Sequence, residues 1–245
     1  MRVSRSSAAS EVILIVGAGE LGPVARARSM LASLRGRVRV IAVDGGWVHC
    51  QKLALTPEAI VGDFDSLPAK LHARAMQRAQ SVHLHPVDKD WSDLALALKL
   101  ASRWLKQSLS KKQEVVLLGV TGGREDHHHA ALFDIAWAAA RWPAATRVLG
   151  HASEWHFLTS KTPRTRLAGV RGRTVSIFAL SARVTGLKTR GLKWDGSRVK
   201  LLRPGSQGLS NLAISGDIQV EIGSGCAVVV VPSSNNQNAG KNERS

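Results

Sequence analysis

Through its first 150 residues the chain repeats one kind of organisation: a short apolar run, a stop at glycine or aspartate, then a helical pattern. Val12-Ile13-Leu14-Ile15-Val16 stops at Gly17, Val38 to Val43 at Asp44, Ala59-Ile60-Val61 at Gly62, and Glu114 to Leu118 at Gly119. Such continuous runs read as buried strands. Between them, Pro23 to Leu34 and His127 to Trp142 are helical in character, the second stopped by Pro143. Ser92 to Leu105 places Leu94, Leu96, Leu98, Ala101 and Leu105 behind Ser92 as N-cap, which predicts an amphipathic helix. Strands alternating with helices predict an α/β domain over residues 11–150, a doubly wound and mostly parallel sheet.

Beyond residue 150 helical periodicity fades. Thr174 to Leu180, Gly191 to Trp194, Ile218 to Ile222 and Ala227 to Val231 read as short strands, punctuated by Gly169, Gly172, Gly186, Pro204-Gly205, Gly216 and Gly223. That pattern predicts a smaller all-β sandwich domain over 151–232. Residues 1–10 read as a flexible N-terminus, and 233–245, almost wholly Ser, Asn, Gln, Lys and Glu, as a disordered tail.

Composition narrows the class. With 44% apolar and 21% charged residues over 245 positions, the chain can bury a core without disulfides. Its 34 Lys and Arg against 18 Asp and Glu leave +16, which favours polyanionic partners without choosing one. The longest apolar runs, such as Cys226 to Val231, fall far below the roughly 18 residues of a membrane span. Cys50 and Cys226 form no Cys-x-x-Cys pair and read as reduced structural thiols of a cytoplasmic protein. The basic, Ser-rich opening from Met1 to Ser7 lacks the apolar core of a signal peptide.

Open parallel sheets bind ligands beyond the carboxyl ends of their strands, and four turns there carry polar or glycine signatures. Gly17-Ala18-Gly19-Glu20-Leu21-Gly22 matches the dinucleotide pattern G-x-G-x-x-G, with Asp44 placed as a ribose-binding acid; glycines there also serve tight geometry alone. Gly62-Asp63-Phe64-Asp65-Ser66 sets two carboxylates two residues apart. At about 5 Å they repel by roughly 3 kcal/mol at an effective dielectric near 20. Mg²⁺ with substrate phosphates relieves that repulsion, though an Asx-turn capping the next helix explains the same residues. Lys89-Asp90-Trp91-Ser92-Asp93 opens a helix, where Asp93 suits the dipole. Gly119-Val120-Thr121-Gly122-Gly123-Arg124-Glu125-Asp126-His127 joins a strand to a helix. Its glycines and helix start favour phosphate and Arg124 offers a fork, but no Walker A lysine follows. His127, His128 and His129 point in different directions on a helix and cannot share one ion.

Read in order, these segments resemble thiamine pyrophosphokinases (thiamine diphosphokinases). The resemblance rests on Asp44-Gly45-Gly46, Pro57 with Gly62-Asp63-Phe64-Asp65-Ser66-Leu67, His85-Pro86 with Lys89-Asp90 and Ser92-Asp93, and Gly119 with Thr121-Gly122-Gly123-Arg124 and Asp126-His127. Gly191-Leu192-Lys193-Trp194 and Gly208-Leu209-Ser210-Asn211 extend it into the β-rich half, so that it spans about residues 40 to 231. It implies transfer of the pyrophosphoryl group of ATP to the thiamine hydroxyl, with release of AMP, in a homodimer whose active sites lie between subunits. By the same resemblance Asp63, Asp65 and Asp93 hold Mg²⁺ and the phosphates, with Asp93 near the hydroxyl. Asp44, Gly45, Lys89, Asp90, Gly122, Arg124, Asp126 and His127 form the nucleotide end. Ser210 and Asn211 contact thiamine, while Trp194 is expected in the core. Ala131 departs from the pattern where Asn is expected, and the Gly17 turn is unusually dinucleotide-like.

Two other readings compete. An NAD(P)-dependent oxidoreductase uses the Gly17 turn and Asp44 but leaves the acid clusters unexplained. A basic nucleic-acid-binding protein fits the charge, but aromatics are only 4%, tyrosine is absent, and the cations are scattered rather than gathered in one stripe.

Overall fold

The computed structural model describes residues 10–62, 81–84 and 90–233. Asp63, Asp65 and Lys89 lie outside the described residues, as do residues 1–9 of the expected N-terminus and 234–245 of the expected tail. Contacts divide the chain into two compact units, one ending at His151 and one beginning at Ala152.

In the first unit, strands β1 (Glu11–Val16), β2 (Arg37–Val43), β3 (Ala59–Gly62), β4 (Ser81–Leu84), β5 (Gln113–Leu118) and β6 (Ala145–Leu149) pair in the order β6-β5-β1-β2-β3-β4. Every pair is parallel. Helices α1 (Val24–Ala32), α2 (Gly46–Leu53), α3 (Asp93–Gln107) and α4 (Glu125–Ala139) accompany them. Strand alternation sorts the two faces. Val12, Leu14, Val16, Val40 and Ala42 pack with Ala27 of α1 and with Trp47, Cys50 and Leu53 of α2. Arg39 points to the opposite face, its guanidinium 3.7 Å over the Trp104 ring of α3, and α3 packs on β2 and β3. Helices thus cover both faces, the doubly wound architecture expected, and each residue of β1 is buried. This two-sided cover explains why Val12 to Val16 show no alternation.

Three elements had no clear sequence signal. β4 and β6 are short and mix polar with apolar residues. α2 starts in Gly45-Gly46, which reads locally as a turn; a Cβ on Gly46 would overlap the Val16 carbonyl, so only glycine admits the helix so close to β1. α4 begins two residues earlier than expected and ends at Ala139 rather than Trp142.

The second unit holds β7 (Ser153–Thr159), β8 (Arg164–Ala168), β9 (Thr174–Ala179), β10 (Arg183–Val184), β11 (Lys188–Arg190), β12 (Leu201–Leu202), β13 (Asn211–Leu212), β14 (Asp217–Glu221) and β15 (Cys226–Pro232). β13-β9-β15-β7 and β11-β14-β8 form antiparallel sheets, and β10-β12 a small ribbon. Val175, Ile177, Ala227 and Val229 of one sheet share a core with Leu167, Ile218 and Val220 of the other, the packing of a sandwich. The strand expected at Gly191 to Trp194 is instead Lys188–Arg190, with Leu192 making only a bridge to Ala213. Ser233, expected in the tail, is buried and donates its N–H to the Ala152 carbonyl at 2.8 Å.

Candidate functional site

β1 has β2 on one side and β5 on the other. The connections leave in opposite directions, so a crevice opens beyond the carboxyl ends of β1 and β5. The Gly17–Gly22 turn and the Gly119–Asp126 loop meet there. The N–H groups of Gly17, Gly19 and Glu20 donate to the carbonyls of Leu118, Gly119 and Thr121 at 2.8, 2.7 and 2.9 Å. A Cβ on Gly17 would sit 2.6 Å from the Gly119 oxygen, and one on Gly19 2.8 Å from the Thr121 oxygen. The glycines therefore let two backbones cross. Three N–H groups of this turn are thus spent inside the protein, which counts against the oxidoreductase reading.

Side chains fix the loop further. Glu20 Oε1 accepts the Gly123 N–H at 2.9 Å, and its Oε2 lies 3.2 Å from Nε2 of His151, just past β6. Arg26 donates to the His151 carbonyl at 2.8 Å, and His49 Nε2 donates to the Gly19 carbonyl at 2.8 Å. His128 Nδ1 accepts the Gly122 N–H at 3.3 Å; desolvation, then the neighbouring His129 and His151, lowers its pKa. His129 turns to the Glu125 carbonyl instead. The three consecutive histidines diverge, as the helix requires.

Arg124 is the N-cap residue of α4 and grips Asp126 with both arms, Nε to Oδ1 at 3.1 Å and Nη2 to Oδ2 at 2.6 Å. The hydrogen bond from Arg124 is the main cause that holds the Asp126 carboxyl down at about 2. Both side chains are well exposed, 71% and 63%, so the fork sits at the helix start facing solvent. His127 is exposed beside them and donates its N–H to Asp126 Oδ1.

The acids come from neighbouring strand ends. Asp44, just past β2, holds a left-handed φ of 45° and donates its N–H to Val61 at 3.0 Å. A Cβ on Gly62 would overlap Asp44 Oδ1, so that carboxylate lies against the last residue of β3, one position before Asp63. Gly45 is the N-cap residue of α2. Asp90 is exposed and Asp93 half-buried at the first position of α3. Ser92 caps that helix by accepting the Ala95 N–H at 3.0 Å, and its hydroxyl donates to Asp134 of α4 at 2.6 Å. Asp44, Asp90 and Asp93 offer only hard oxygen donors, the chemistry Mg²⁺ prefers. Among the described residues no three His, Cys, Asp or Glu side chains converge as a metal cage. Ala131 is buried on the inner face of α4 with Ile135 and Ala138, so the position expected to be Asn serves packing in this chain.

The second unit carries its own cavity of about 240 Å³, lined by Ile177, Leu187, Trp194, Leu209, Ser210 and Asn211 among others. Trp194, expected in the core, is 52% exposed and forms a wall of this cavity. Asn211 explains its pose. The Asn211 amide accepts the Trp194 N–H at 3.1 Å and donates to the Trp194 carbonyl at 2.9 Å, clamping that backbone. Ser210 holds a φ of 59° and donates its N–H to Ser176 Oγ at 3.0 Å. Glu20, His49, His151 and Asp134 were not singled out by sequence, and Trp194 was expected in the core rather than exposed. Glu20 was the only acid inside the Gly17–Gly22 turn, and His151 would have followed from recognising β6.

Comparison with known proteins matches these two units in turn. Residues 33–143 match the model described as thiamin pyrophosphokinase, catalytic domain. Residues 162–227 match thiamin pyrophosphokinase, vitamin B1 binding domain. The thiamine pyrophosphokinase of Bacillus subtilis (strain 168) is 35% identical over 88 residues, 36% of this chain and 38% of that protein. In structure, thiamine pyrophosphokinase from Bacillus subtilis aligns with a TM-score of 0.72 at 21% identity, covering 91% of this chain and 99% of its own. The Candida albicans enzyme aligns at 0.68 and 14% identity over 95% of each chain. These likenesses carry the fold; the two domain models, in order along both units, carry the family. Neither the oxidoreductase nor the nucleic-acid reading finds support, and the chain belongs to the thiamin pyrophosphokinase family.

Proposed function

We propose that the protein is a thiamine diphosphokinase, transferring the pyrophosphoryl group of ATP to the thiamine hydroxyl to give thiamine diphosphate and AMP. The observation that carries this reading is the order of the two family matches. The catalytic match covers the Gly119–Asp126 loop, and the vitamin B1 match covers the Trp194 cavity.

In this reading the triphosphate meets the start of α4, where backbone N–H groups and the helix dipole favour anions. Arg124 turns its fork from Asp126 to phosphate oxygens, with Gly122, Asp126 and His127 beside it and Asp44, Gly45, Lys89 and Asp90 completing the nucleotide end. Asp63, Asp65 and Asp93 would hold Mg²⁺, which when bound neutralises the triphosphate. The thiamine hydroxyl oxygen attacks the β-phosphorus, the bond to the oxygen bridging to the α-phosphate breaks, AMP leaves, and the hydroxyl proton passes to water. Asp93 orients that hydroxyl. The exposed Trp194 indole suits the cationic thiazolium, with Ser210 and Asn211 at its edge. Alignment of these groups supplies most of the rate, because phosphoryl transfer asks little covalent chemistry of a protein. The enzyme works as a homodimer with active sites at the subunit interface, in the cytoplasm. Two buried free thiols fit that compartment, and among the described residues no helix is long and apolar enough to cross a membrane.

Incubation with ATP, Mg²⁺ and thiamine, followed by identification of products, tests the reading: thiamine diphosphate with AMP is expected. ADP with thiamine monophosphate would mean an ordinary kinase. Asp63→Asn, Asp65→Asn and Asp93→Asn are each expected to lower turnover by orders of magnitude in folded protein. Near-normal rates in all three would sink the site assignment.

A further inference from the structure

We infer that Glu20 is a positioning residue for nucleotide binding: its carboxylate ties down the Gly122-Gly123 turn and so aims Arg124 and the start of α4 at the triphosphate. This rests on the proposed role of that loop. Gly122 and Gly123 hold left-handed φ values of 80° and 70°, and a Cβ on Gly123 would meet nothing within 4 Å. A glycine pair has the widest conformational freedom a chain can have, and freezing it costs entropy at the moment a ligand binds. Glu20 removes that freedom beforehand. Its side chain lies flat against Gly122, where an added Cβ would fall 2.7 to 2.8 Å from Glu20 Cδ, Cγ and Cβ, and its Oε1 accepts the Gly123 N–H at 2.9 Å.

The tie is itself anchored. The Glu20 backbone N–H is bonded to the Thr121 carbonyl at 2.9 Å. Oε2 lies 3.2 Å from His151 Nε2, and Arg26 holds the His151 carbonyl at 2.8 Å. The other ring nitrogen of His151, Nδ1, is buried and has no hydrogen-bond partner among the described residues. Glu20 therefore links the ends of β1, β5 and β6 at the one loop that carries Arg124. The opposite reading is also concrete: the carboxylate occupies the Gly123 N–H in place of a phosphate and must be displaced. The two differ in sign.

The test compares wild type, Glu20→Ala and Glu20→Gln, each confirmed folded by thermal melting, for KM of ATP, KM of thiamine and kcat. Loss of one hydrogen bond to a charged acceptor is expected to raise KM for ATP about tenfold or more in Glu20→Ala. KM for thiamine should stay within about twofold, and Glu20→Gln, which keeps a neutral acceptor for Gly123, should recover most of the loss in KM for ATP. A lower KM for ATP in both variants overturns positioning in favour of displacement. An unchanged KM for ATP in Glu20→Ala also overturns it. Formation of thiamine diphosphate and AMP by wild type checks the underlying function separately. Without that turnover, the same ratios read as Kd for Mg·ATP decide the role of Glu20.

Discussion

Gly19→Ala separates a glycine that serves architecture from one that serves a ligand. Gly19 has no left-handed φ, so alanine suits its backbone and should gain about 0.4–1 kcal/mol through the unfolded chain. Against that gain stand two carbonyl oxygens, Thr121 at 2.8 Å and Gly119 at 2.9 Å from the new Cβ, both backbone atoms that cannot rotate away. Overpacking of this kind costs about 1–3 kcal/mol. Moving the strands apart also stretches the Gly19 and Glu20 N–H bonds to the same loop, at roughly 1 kcal/mol each where lost. The net expectation is a loss of about 2 kcal/mol, or roughly 4–8 °C in Tm for a unit of this size. Urea unfolding and thermal scans of Gly19→Ala beside wild type measure it. Gly216→Ala, whose Cβ would meet nothing within 4 Å, serves as the control and should melt at or slightly above wild type. Wild-type stability in Gly19→Ala, combined with loss of measurable NADH binding present in the parent protein, would refute the crossing argument and restore the dinucleotide one.

Two further outcomes follow from the geometry. Trp194→Ala should raise KM for thiamine about fivefold with little change in KM for ATP, through loss of a partly exposed cation–π contact; Asn211→Ala should reproduce part of that effect by freeing the Trp194 backbone. The buried thiols make the fold sensitive to alkali: burial pushes Cys50 from an ordinary 9.0 to about 12, and Cys226 to about 11. Because both folded values are raised, the stability they confer is complete below pH 9 and is lost between pH 9 and about 11–12 as only the unfolded chain ionises. The cost at pH 10 is on the order of 1 kcal/mol per thiol. Urea midpoints for wild type should fall between pH 8 and pH 10 more than those of the Cys50→Ala/Cys226→Ala double variant; parallel lines would refute the claim.

How much of this was legible beforehand depended on sequence distance. The strands β1, β2, β3 and β5 announce themselves because each is a local apolar run, and Ser92 announces α3 because its cap bond reaches only to Ala95. Arg124 and Asp126 are two residues apart, and their fork forms within that span. Gly46 shows the limit. A glycine pair ordinarily signals a turn, and only the nearby Val16 carbonyl, thirty positions earlier, explains why a helix starts there instead. The acids were recognisable as a pattern of turns after strands, yet nothing local distinguishes Asp93 as helix cap, metal ligand or both.

Trp194 and Glu20 fail for the same physical reason. A tryptophan in a β-rich stretch belongs by composition in the core, and what turns it outward is the amide of Asn211, 17 residues away. Glu20 looks like filler among glycines, and what gives it a task is an N–H 103 residues further along the chain. Neither bond leaves a trace in local periodicity, since each joins segments far apart in the chain that meet only once the unit holding them has folded. The chemistry-bearing turns were therefore readable as residues, but the side chains that hold those turns still were not. Positioning groups sit where separate connections converge, so the crevice beyond β1, β5 and β6 is the place where substitutions outside the phosphate loop should alter nucleotide affinity without unfolding the chain.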